Sequence, residues 1–274
     1  MKKKARQQSI KKRLNGNGIT VVVPTLNEEE NLRHVLPHIP SIVKEVLIVD
    51  GNSDDKTVEV ASSLCTNARV IYQSGKGKGD ALKCGIQAAS HQIVVTLDAD
   101  GSTDPKEIPR FVEPLLEGYD FAKGSRFLKG GGTEDMPWHR RFGCKAFLLM
   151  VWMLYGRRYT DLPYGYNAFW KGSFNGIQFN SDGFAIETEI HLKVLRAGLK
   201  VAEVPSFEYK RKHGEGKLRS FSDGFKIAAT ILKERFRRSA ATQDQGNEFR
   251  LQPGASCPYA EYNKISYSKD PASK

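Results

Sequence analysis

The sequence predicts an α/β protein with a mostly parallel central sheet flanked by helices. Short β-branched apolar runs alternate with helical patterns from about residue 18 onward, and polar residues follow the ends of several of these runs. Strands that alternate with helices pair in parallel through right-handed crossovers. The chain has 274 residues and no internal repeat, so we expect one domain of this type over residues 18–236.

The first half of the chain contains the clearest strand patterns. Four short runs rich in Val and Ile predict strands: Ile19–Val23, Val46–Val49, Arg69–Tyr72 and Ile93–Leu97. A helical pattern follows each run and begins near residues 28, 56, 79 and 105. The first of these helices starts with three glutamates, where negative charge suits the helix dipole. A further strand is expected around Phe121.

The pattern loosens after Lys123. The three glycines at 130–132 predict a flexible loop, and residues 184–197 predict an amphipathic helix. A strand is expected at Val201–Val204 and a last helix over residues 219–236. Residues 237–274 are polar and aperiodic, which predicts a disordered or loosely docked tail.

The formal net charge of +11 predicts an anionic partner. Much of it lies in a basic N-terminal arm, residues 1–17, for which a solvated tail and a membrane-surface role both remain open. A second basic cluster lies at residues 210–219. Because no recognised nucleic-acid-binding module is present and phosphorylated substrates explain the charge equally well, we expect no nucleic-acid partner.

Several other classes of protein do not fit the sequence. No apolar run reaches the roughly 18–20 residues that span a bilayer, and the basic N-terminus lacks the apolar segment of a signal peptide. The four cysteines form no CxxC pair, which favours reduced thiols. The glycines at 75–79 lack the P-loop spacing, and no zinc-binding spacing appears. These features together predict a cytoplasmic protein.

Asp98 and Asp100 are the most informative residues of the chain. They end the buried run Ile93–Leu97, and two carboxylates there are costly to desolvate unless positive charge meets them. A divalent metal carrying a diphosphate would supply that charge, and oxygen ligands favour Mg²⁺ or Mn²⁺. The alternative is a polar turn that caps the next helix, since Asp, Gly, Ser, Thr and Pro all form turns.

Polar groups recur at the ends of three predicted strands. The segment 25–28 follows the first strand, Asp50 ends the second, and Asp98 and Asp100 follow the fourth. In an open parallel sheet these ends lie along one edge, where ligands bind. The first two groups suit the base and ribose of a nucleotide, and the third suits a metal.

Eight segments match, in order, one known enzyme family. They are VVVPTLNEEENL (21–32), VLIVDGNSDDKT (46–57), GKGDALKCGI (77–86), VTLDADGSTDPKEIPRF (95–111), KGSRFLKGG (123–131), DLPYGYNAFW (161–170), GFAIETEI (183–190) and EVPSFEYKRKHGEGKL (203–218). Through them the chain resembles the family 2 glycosyltransferases, and within these the polyprenyl-phosphate (dolichol-phosphate) mannosyl- and glucosyltransferases.

The resemblance implies a GT-A fold, which is Rossmann-like, and inverting transfer from a GDP- or UDP-linked sugar with Mg²⁺ or Mn²⁺. It implies three catalytic residues: Asp100, Arg126 and Glu189. It implies metal binding by Asp98, Asp100 and Ser102. The substrate-binding residues implied are Pro24, Thr25, Asn27, Glu28, Asp50, Lys78, Asp98, Ala99, Arg140, Arg141, Arg211 and Lys217. Arg126 would hold a phosphate with its bidentate guanidinium fork.

Two departures from the family pattern bear on the donor. Family members often carry Gln two residues after the second Asp as a further metal ligand, whereas this chain has Ser102. Members also often have two adjacent acids at the end of the second strand, whereas Gly51 follows Asp50 here. The third metal ligand and the donor therefore stay open.

The acceptor also stays open, between a polyprenyl phosphate and a soluble hydroxyl compound. A lipid phosphate is already an anion, so it needs positive charge rather than a strong base, whereas a hydroxyl needs Glu189 or Glu187 as the base. The apolar run Phe142–Tyr155 is either a core helix or a helix in a membrane interface, because basic pairs flank it. The second interpretation implies peripheral contact with a membrane.

Overall fold

The computed structural model describes residues 2–216 and 220–237, so Lys217 and residues 238–274 of the predicted tail lie outside the described residues. The strands are β1 Ile19–Thr25, β2 Glu45–Asp50, β3 Ala68–Tyr72, β4 Ile93–Thr96, β5 Phe121–Ser125, β6 Gly132–Thr133, β7 Asn167–Trp170, β8 Val201–Pro205 and β9 Phe207–Glu208. The α-helices are α1 Lys2–Arg13, α2 Glu29–Val35, α3 Thr57–Leu64, α4 Gly77–Ala88, α5 Ile108–Leu116, α6 Trp138–Tyr155, α7 Ala185–Arg196 and α8 Ser220–Phe236.

Seven strands form the central sheet, in the order β3-β2-β1-β4-β7-β5-β8. Neighbouring strands are parallel except at β7, which runs antiparallel to both β4 and β5. The prediction of an α/β protein with a mostly parallel sheet is confirmed. Strand β7 was not predicted, because it has only four residues and pairs with strands distant along the chain.

Strands β1, β2 and β4 are buried on both faces, which explains their continuous apolar runs. Val21 and Val23 of β1 point into the core shared with α2 and α5, whereas Val22 points into the core shared with α4 and α7. Successive side chains of a strand point to opposite faces, so one run of valines supplies both cores. The helices packed on both faces of the sheet therefore fix the positions of the strand ends along its carboxyl edge.

The N-terminal arm is not a solvated tail. It forms α1, which packs against α5 and buries Ile10 and Leu14 in the main core. Arg13 donates a hydrogen bond to the Leu116 carbonyl at 2.9 Å, and Arg6 pairs with Glu113. The dense positive charge favoured a solvated tail. Two apolar residues four positions apart nevertheless lie on the same side of a helix, and they are enough to pack that side against the core.

A smaller apolar cluster joins α6, α7 and α8. Val151, Leu192, Ile227 and Ile231 are buried in it. This packing covers one side of α6 and leaves apolar side chains exposed on another. In the part of the chain that the structure describes, no helix combines the length and apolar character needed to cross a bilayer.

Candidate active site

A cleft of about 760 Å³ runs along the carboxyl ends of the strands. It starts at Gln73 after β3, passes Gly51 after β2 and Thr25 at the end of β1, and reaches Asp98 after β4. From there it continues to α6 and α8. Strand β2 pairs with one side of β1, and β4 pairs with the other side. The cleft therefore lies at the point where the strand order reverses direction, which is where open α/β sheets bind ligands.

Eleven of the residues predicted for the site line this cleft. They are Pro24, Thr25, Glu28, Lys78, Asp98, Ala99, Asp100, Ser102, Arg126, Arg140 and Arg211. Asn27, Asp50, Arg141 and Glu189 are not among its lining residues, and Lys217 is outside the described residues. The roles of the lining residues remain predictions.

Asp98 and Asp100 direct their carboxylates into the cleft, where the side chains are 29% and 26% exposed. The Ser102 amide donates a hydrogen bond to Asp100 Oδ1 at 2.9 Å, and Ser102 also lines the cleft. Among the described residues no group of three or more acidic, His or Cys side chains is arranged to hold a metal. The chain thus offers two carboxylates and a hydroxyl, a donor set that fits Mg²⁺ or Mn²⁺ when diphosphate and water oxygens complete it.

Lys78 links two acids inside the cleft. Its Nζ lies 2.5 Å from Asp98 Oδ1 and 2.5 Å from Glu187 Oε1. Burial opposes the ammonium charge, but the two carboxylates outweigh that effect and raise the pKa of Lys78. Burial also raises the pKa of Glu187, against the attraction of Lys78. Lys78 reaches this position because Gly79 donates its amide to the Asp182 carbonyl at 2.7 Å, which draws the start of α4 against the segment before α7.

The side chains of Asp50 and Asn27 lie behind the lining of the cleft and form hydrogen bonds between the loops there. Asp50 Oδ1 accepts from Thr25 Oγ1 at 3.1 Å and from Ser53 Oγ at 2.6 Å, and Oδ2 accepts from the Ser53 amide at 2.8 Å. Asn27 adopts a φ of +55° and accepts from the Asp54 amide. In this structure the two side chains join the loops after β1 and β2, and their contact with the nucleoside stays a prediction.

Arg126 lies in a buried ion-pair network at the wall of the cleft. Its Nε and Nη2 donate to the two oxygens of Asp161 at 2.7 and 2.9 Å, and its Nη1 donates to both oxygens of Glu208 at 3.1 Å. Burial opposes the charge, but these acids outweigh it and raise the pKa of Arg126. In this structure Asp161 and Glu208 occupy the guanidinium fork, and the predicted contact of Arg126 with a phosphate stays a prediction.

A segment over the cleft, residues 209–216, carries Arg211. Arg211 Nη2 donates to Glu28 Oε2 at 2.6 Å, and Nη1 lies 3.6 Å from Asp100 Oδ2. The Tyr209 amide donates to the Ser102 carbonyl at 2.8 Å, and the His213 amide donates to Asn31 Oδ1 at 2.9 Å. These bonds tie the segment to the loop that carries Asp100 and to the start of α2.

Glu189 of α7 is held by neighbouring donors and is not among the lining residues of the cleft. Asn180 and Ser181 donate hydrogen bonds to its carboxylate, and Lys193 lies 2.6 Å from Oε1. Burial acts to raise its pKa, but these partners outweigh burial and lower the pKa of Glu189 to about 2. A carboxylate with a lowered pKa is a weak proton acceptor, and the catalytic role of Glu189 stays a prediction. Glu187, two residues earlier on α7, is the acid that lines the cleft.

Glutamine substitutions of these two acids should have opposite effects. For Glu187→Gln we expect weaker activity with little loss of stability, because burial already disfavours the Glu187 charge, as its raised pKa shows, and Lys78 keeps Asp98 as a partner. For Glu189→Gln we expect near-normal activity and a free energy of unfolding lower by about 1–3 kcal/mol, because buried donors lose a charged acceptor. Steady-state rates and urea unfolding of both variants check this, and an inactive but fully stable Glu189→Gln would contradict it.

The fold and the cleft define a protein of the GT-A class, with the carboxylates of Asp98 and Asp100 at the switch point of its sheet. The chain belongs to glycosyl transferase family 2, whose family model matches residues 20–184. It is a glycosyltransferase.

Two curated relatives are similar to this chain over most of its length. The chain is 34% identical over 218 residues to the dolichyl-phosphate hexose transferase of Haloferax volcanii, covering 78% of this chain and 92% of the relative. It is 33% identical over 210 residues to the dolichol-phosphate mannosyltransferase of Pyrococcus furiosus, covering 73% of this chain and 59% of the relative. Both names agree with the resemblance stated above.

Solved structures agree on the fold. The glucosyl-3-phosphoglycerate synthase of Mycobacterium tuberculosis, in complex with Mn²⁺, UDP and glucosyl-3-phosphoglycerate, matches with a TM-score of 0.66 and 24% identity, covering 83% of each chain. The same synthase with Mn²⁺, UDP-glucose and phosphoglyceric acid matches with a TM-score of 0.66 and 26% identity, again covering 83% of each chain.

Proposed function

We propose that the protein transfers a hexose from a nucleotide-sugar to a polyprenyl phosphate at a membrane surface, with inversion and with Mg²⁺ or Mn²⁺. The observation that carries this proposal is the polarity of the cleft. One half follows strand ends and holds Asp98 and Asp100, whereas the other opens between α6 and α8 among apolar side chains beside Arg140. The names of the curated relatives support the same acceptor class.

The donor fits the half of the cleft at the strand ends. Asp98 and Asp100 would hold the divalent metal, which supplies electrostatic stabilisation of the leaving diphosphate. Lys78 and Arg211 lie beside these two carboxylates and add positive charge there. Because negative charge grows on the diphosphate as the glycosidic bond breaks, cations fixed in place stabilise the transition state more than the ground state.

The acceptor fits the other half. Arg140 lines the cleft and donates to the Asp135 carbonyl at 3.3 Å, so its guanidinium faces an incoming phosphate from a fixed position. Gly143 and Phe147 of α6 and Gly224 and Ile227 of α8 line the same region, next to Asp223. A phosphate oxygen is already a nucleophile at neutral pH, so transfer to it requires no strong base.

The exposed side of α6 supports contact with a membrane. Side chains at spacings of three or four residues form one stripe, which we call the α6 stripe: Trp138, Phe142, Lys145, Leu149 and Met153. The basic pairs Arg140–Arg141 and Arg157–Arg158 stand at its ends, and α8 adds exposed Phe225 and Phe236. Apolar side chains with flanking cations are typical of helices in the interface of an anionic bilayer.

A transfer assay tests the proposal. Purified protein with Mn²⁺ is incubated with a panel of GDP- and UDP-sugars and with either a polyprenyl phosphate or a soluble acceptor such as 3-phosphoglycerate. We expect a lipid-linked sugar with at least one donor. Transfer only to the soluble acceptor would favour the alternative function, which uses the same donor site.

Polar substitutions in the α6 stripe should separate membrane contact from chemistry. Phe142 and Met153 are 72% and 64% exposed, so replacing both with Gln should leave folding intact. We expect transfer to a long polyprenyl phosphate in anionic vesicles to fall about tenfold or more, since apolar area no longer enters the bilayer. Transfer to a short, water-soluble prenyl phosphate should not change.

The matched control for this pair is Tyr119→Gln, which removes an exposed aromatic residue from the turn before β5. It should leave both acceptor assays unchanged. Equal loss with both acceptors in the α6 variant would instead indicate damage to the cleft and would contradict membrane contact through this stripe.

A further inference from the structure

We infer that Gly51 and Gln73 read the base of the donor nucleotide and select uracil over guanine. The inference rests on the proposed donor site. It starts from the direction of the cleft, in which Gln73 follows β3, Gly51 follows β2 and Asp98 follows β4. A diphosphate beside Asp98 and Asp100 has two directions in which to extend. The sugar and acceptor need the end at α6 and α8, so the nucleoside lies toward Gly51 and Gln73.

The carboxamide of Gln73 has a fixed orientation. Its Nε2 donates a hydrogen bond to the Gly75 carbonyl at 3.1 Å, and a carbonyl can only accept. The amide oxygen Oε1 therefore faces Gly51. The Gln73 backbone amide donates to the Asp50 carbonyl at 3.0 Å, so the residue is anchored where β3 ends. Gln73 Oε1 is thus a hydrogen-bond acceptor with a defined position in the cleft.

Gly51 keeps this acceptor accessible. A Cβ at residue 51 would lie 3.3 Å from the Thr25 carbonyl oxygen and 3.5 Å from Gln73 Oε1. Any side chain would therefore enter the space between β1 and Gln73. An acidic side chain there would add two acceptors to the end of the cleft, and this chain has none at that residue.

Two acids near this end, Asp50 and Glu28, accept hydrogen bonds from neighbouring residues. Both oxygens of Asp50 accept hydrogen bonds, from Thr25 and from Ser53. Glu28 Oε2 accepts from Asn31 and from Arg211. Gln73 Oε1 is thus a side-chain acceptor that the cleft presents beside Gly51.

One acceptor suits uracil better than guanine. The pairing edge of uracil has a single N–H between two carbonyls, so Gln73 Oε1 satisfies its one donor. Guanine presents the N1–H and the 2-amino group side by side, which a carboxylate matches with two oxygens. Guanine at this position would keep a donor without a partner after losing water, which weakens its binding.

Calorimetric titration of the purified protein with UDP and with GDP, both with Mn²⁺, tests the inference. We expect UDP to bind about tenfold tighter or more, the usual effect of one unpaired polar group. Gln73→Glu replaces the amide with a carboxylate and should lower the UDP-to-GDP affinity ratio about tenfold or more. Gln92→Glu, a matched change at an exposed glutamine, should keep the wild-type ratio.

Tighter binding of GDP by the wild type, or an unchanged ratio in Gln73→Glu, would overturn base selection and leave the proposed transferase function standing. Binding of neither nucleotide would overturn the donor site and this inference with it. If circular dichroism shows that Gln73→Glu does not fold, Gln73→Ala replaces it, with the expectation that the UDP-to-GDP ratio falls toward one. An unchanged ratio in that variant also overturns the inference.

Discussion

Asparagine in place of Asp98 or Asp100 is expected to lower the rate of sugar transfer at least about a hundredfold, because a neutral amide holds a divalent cation poorly and less charge stabilises the leaving diphosphate. Both carboxylates face the cleft from the loop after β4. The change removes one charge and almost no volume, so the fold should persist.

Two measurements check this expectation. Steady-state rates give the loss of activity, and Mn²⁺ binding followed by electron paramagnetic resonance in the presence of the nucleotide gives the loss of the metal site. Asp104→Asn is the matched control, because Asp104 lies in the same loop but caps a short 3₁₀ helix through the Lys106 amide at 2.9 Å. Normal Mn²⁺ binding by both Asp98→Asn and Asp100→Asn would refute the metal assignment.

Asparagine in place of Asp161 is expected to lower the free energy of unfolding by about 3–5 kcal/mol, the usual result of removing one partner from a buried ion pair. The side chains of Arg126 and Asp161 are 2% and 0% exposed. The Arg126 guanidinium would stay charged and buried with Glu208 as its remaining acidic partner. Because both ends of the pair lie beside the cleft, loss of activity should accompany loss of stability.

Urea unfolding compares this variant with a surface control. Arg33→Gln breaks an exposed pair with Glu29, in which the arginine side chain is 46% exposed, and should cost less than about 1 kcal/mol. Equal midpoints for Asp161→Asn and the wild type would show that the network does not stabilise the fold. A stable but inactive Asp161→Asn variant would favour the phosphate-binding role of Arg126 that the family resemblance implies.

The positions of the strand ends could be predicted because two independent signals coincide. Val and Ile runs define β1, β2 and β4, and a parallel sheet places their carboxyl ends at one edge. Thr25, Gly51 and Asp98 accordingly meet in one cleft. The short strand β7 carries no such signal, since its pairing depends on strands dozens of residues away.

Side-chain partners were harder to predict than strand ends. Glu187 and Glu189 lie two residues apart on α7, so they point to different sides of the helix, and the sequence does not say which side faces the cleft. Packing of α7 against α4 and α8 decides it. Arg126 and Asp161 are separated by 35 residues, and their pairing follows from the path of the chain between β5 and β7. Gln73 carried no signal beyond its place after a strand.

The docking of α1 changes where the folding unit begins. A truncated protein starting at residue 18 would retain every strand of the central sheet, yet it would lose Ile10 and Leu14 from the main core. The apolar surface of α5 that they cover would then meet water, which favours self-association. Truncation and fusion experiments on this enzyme should therefore treat the lysine-rich leading helix as an integral part of the catalytic domain.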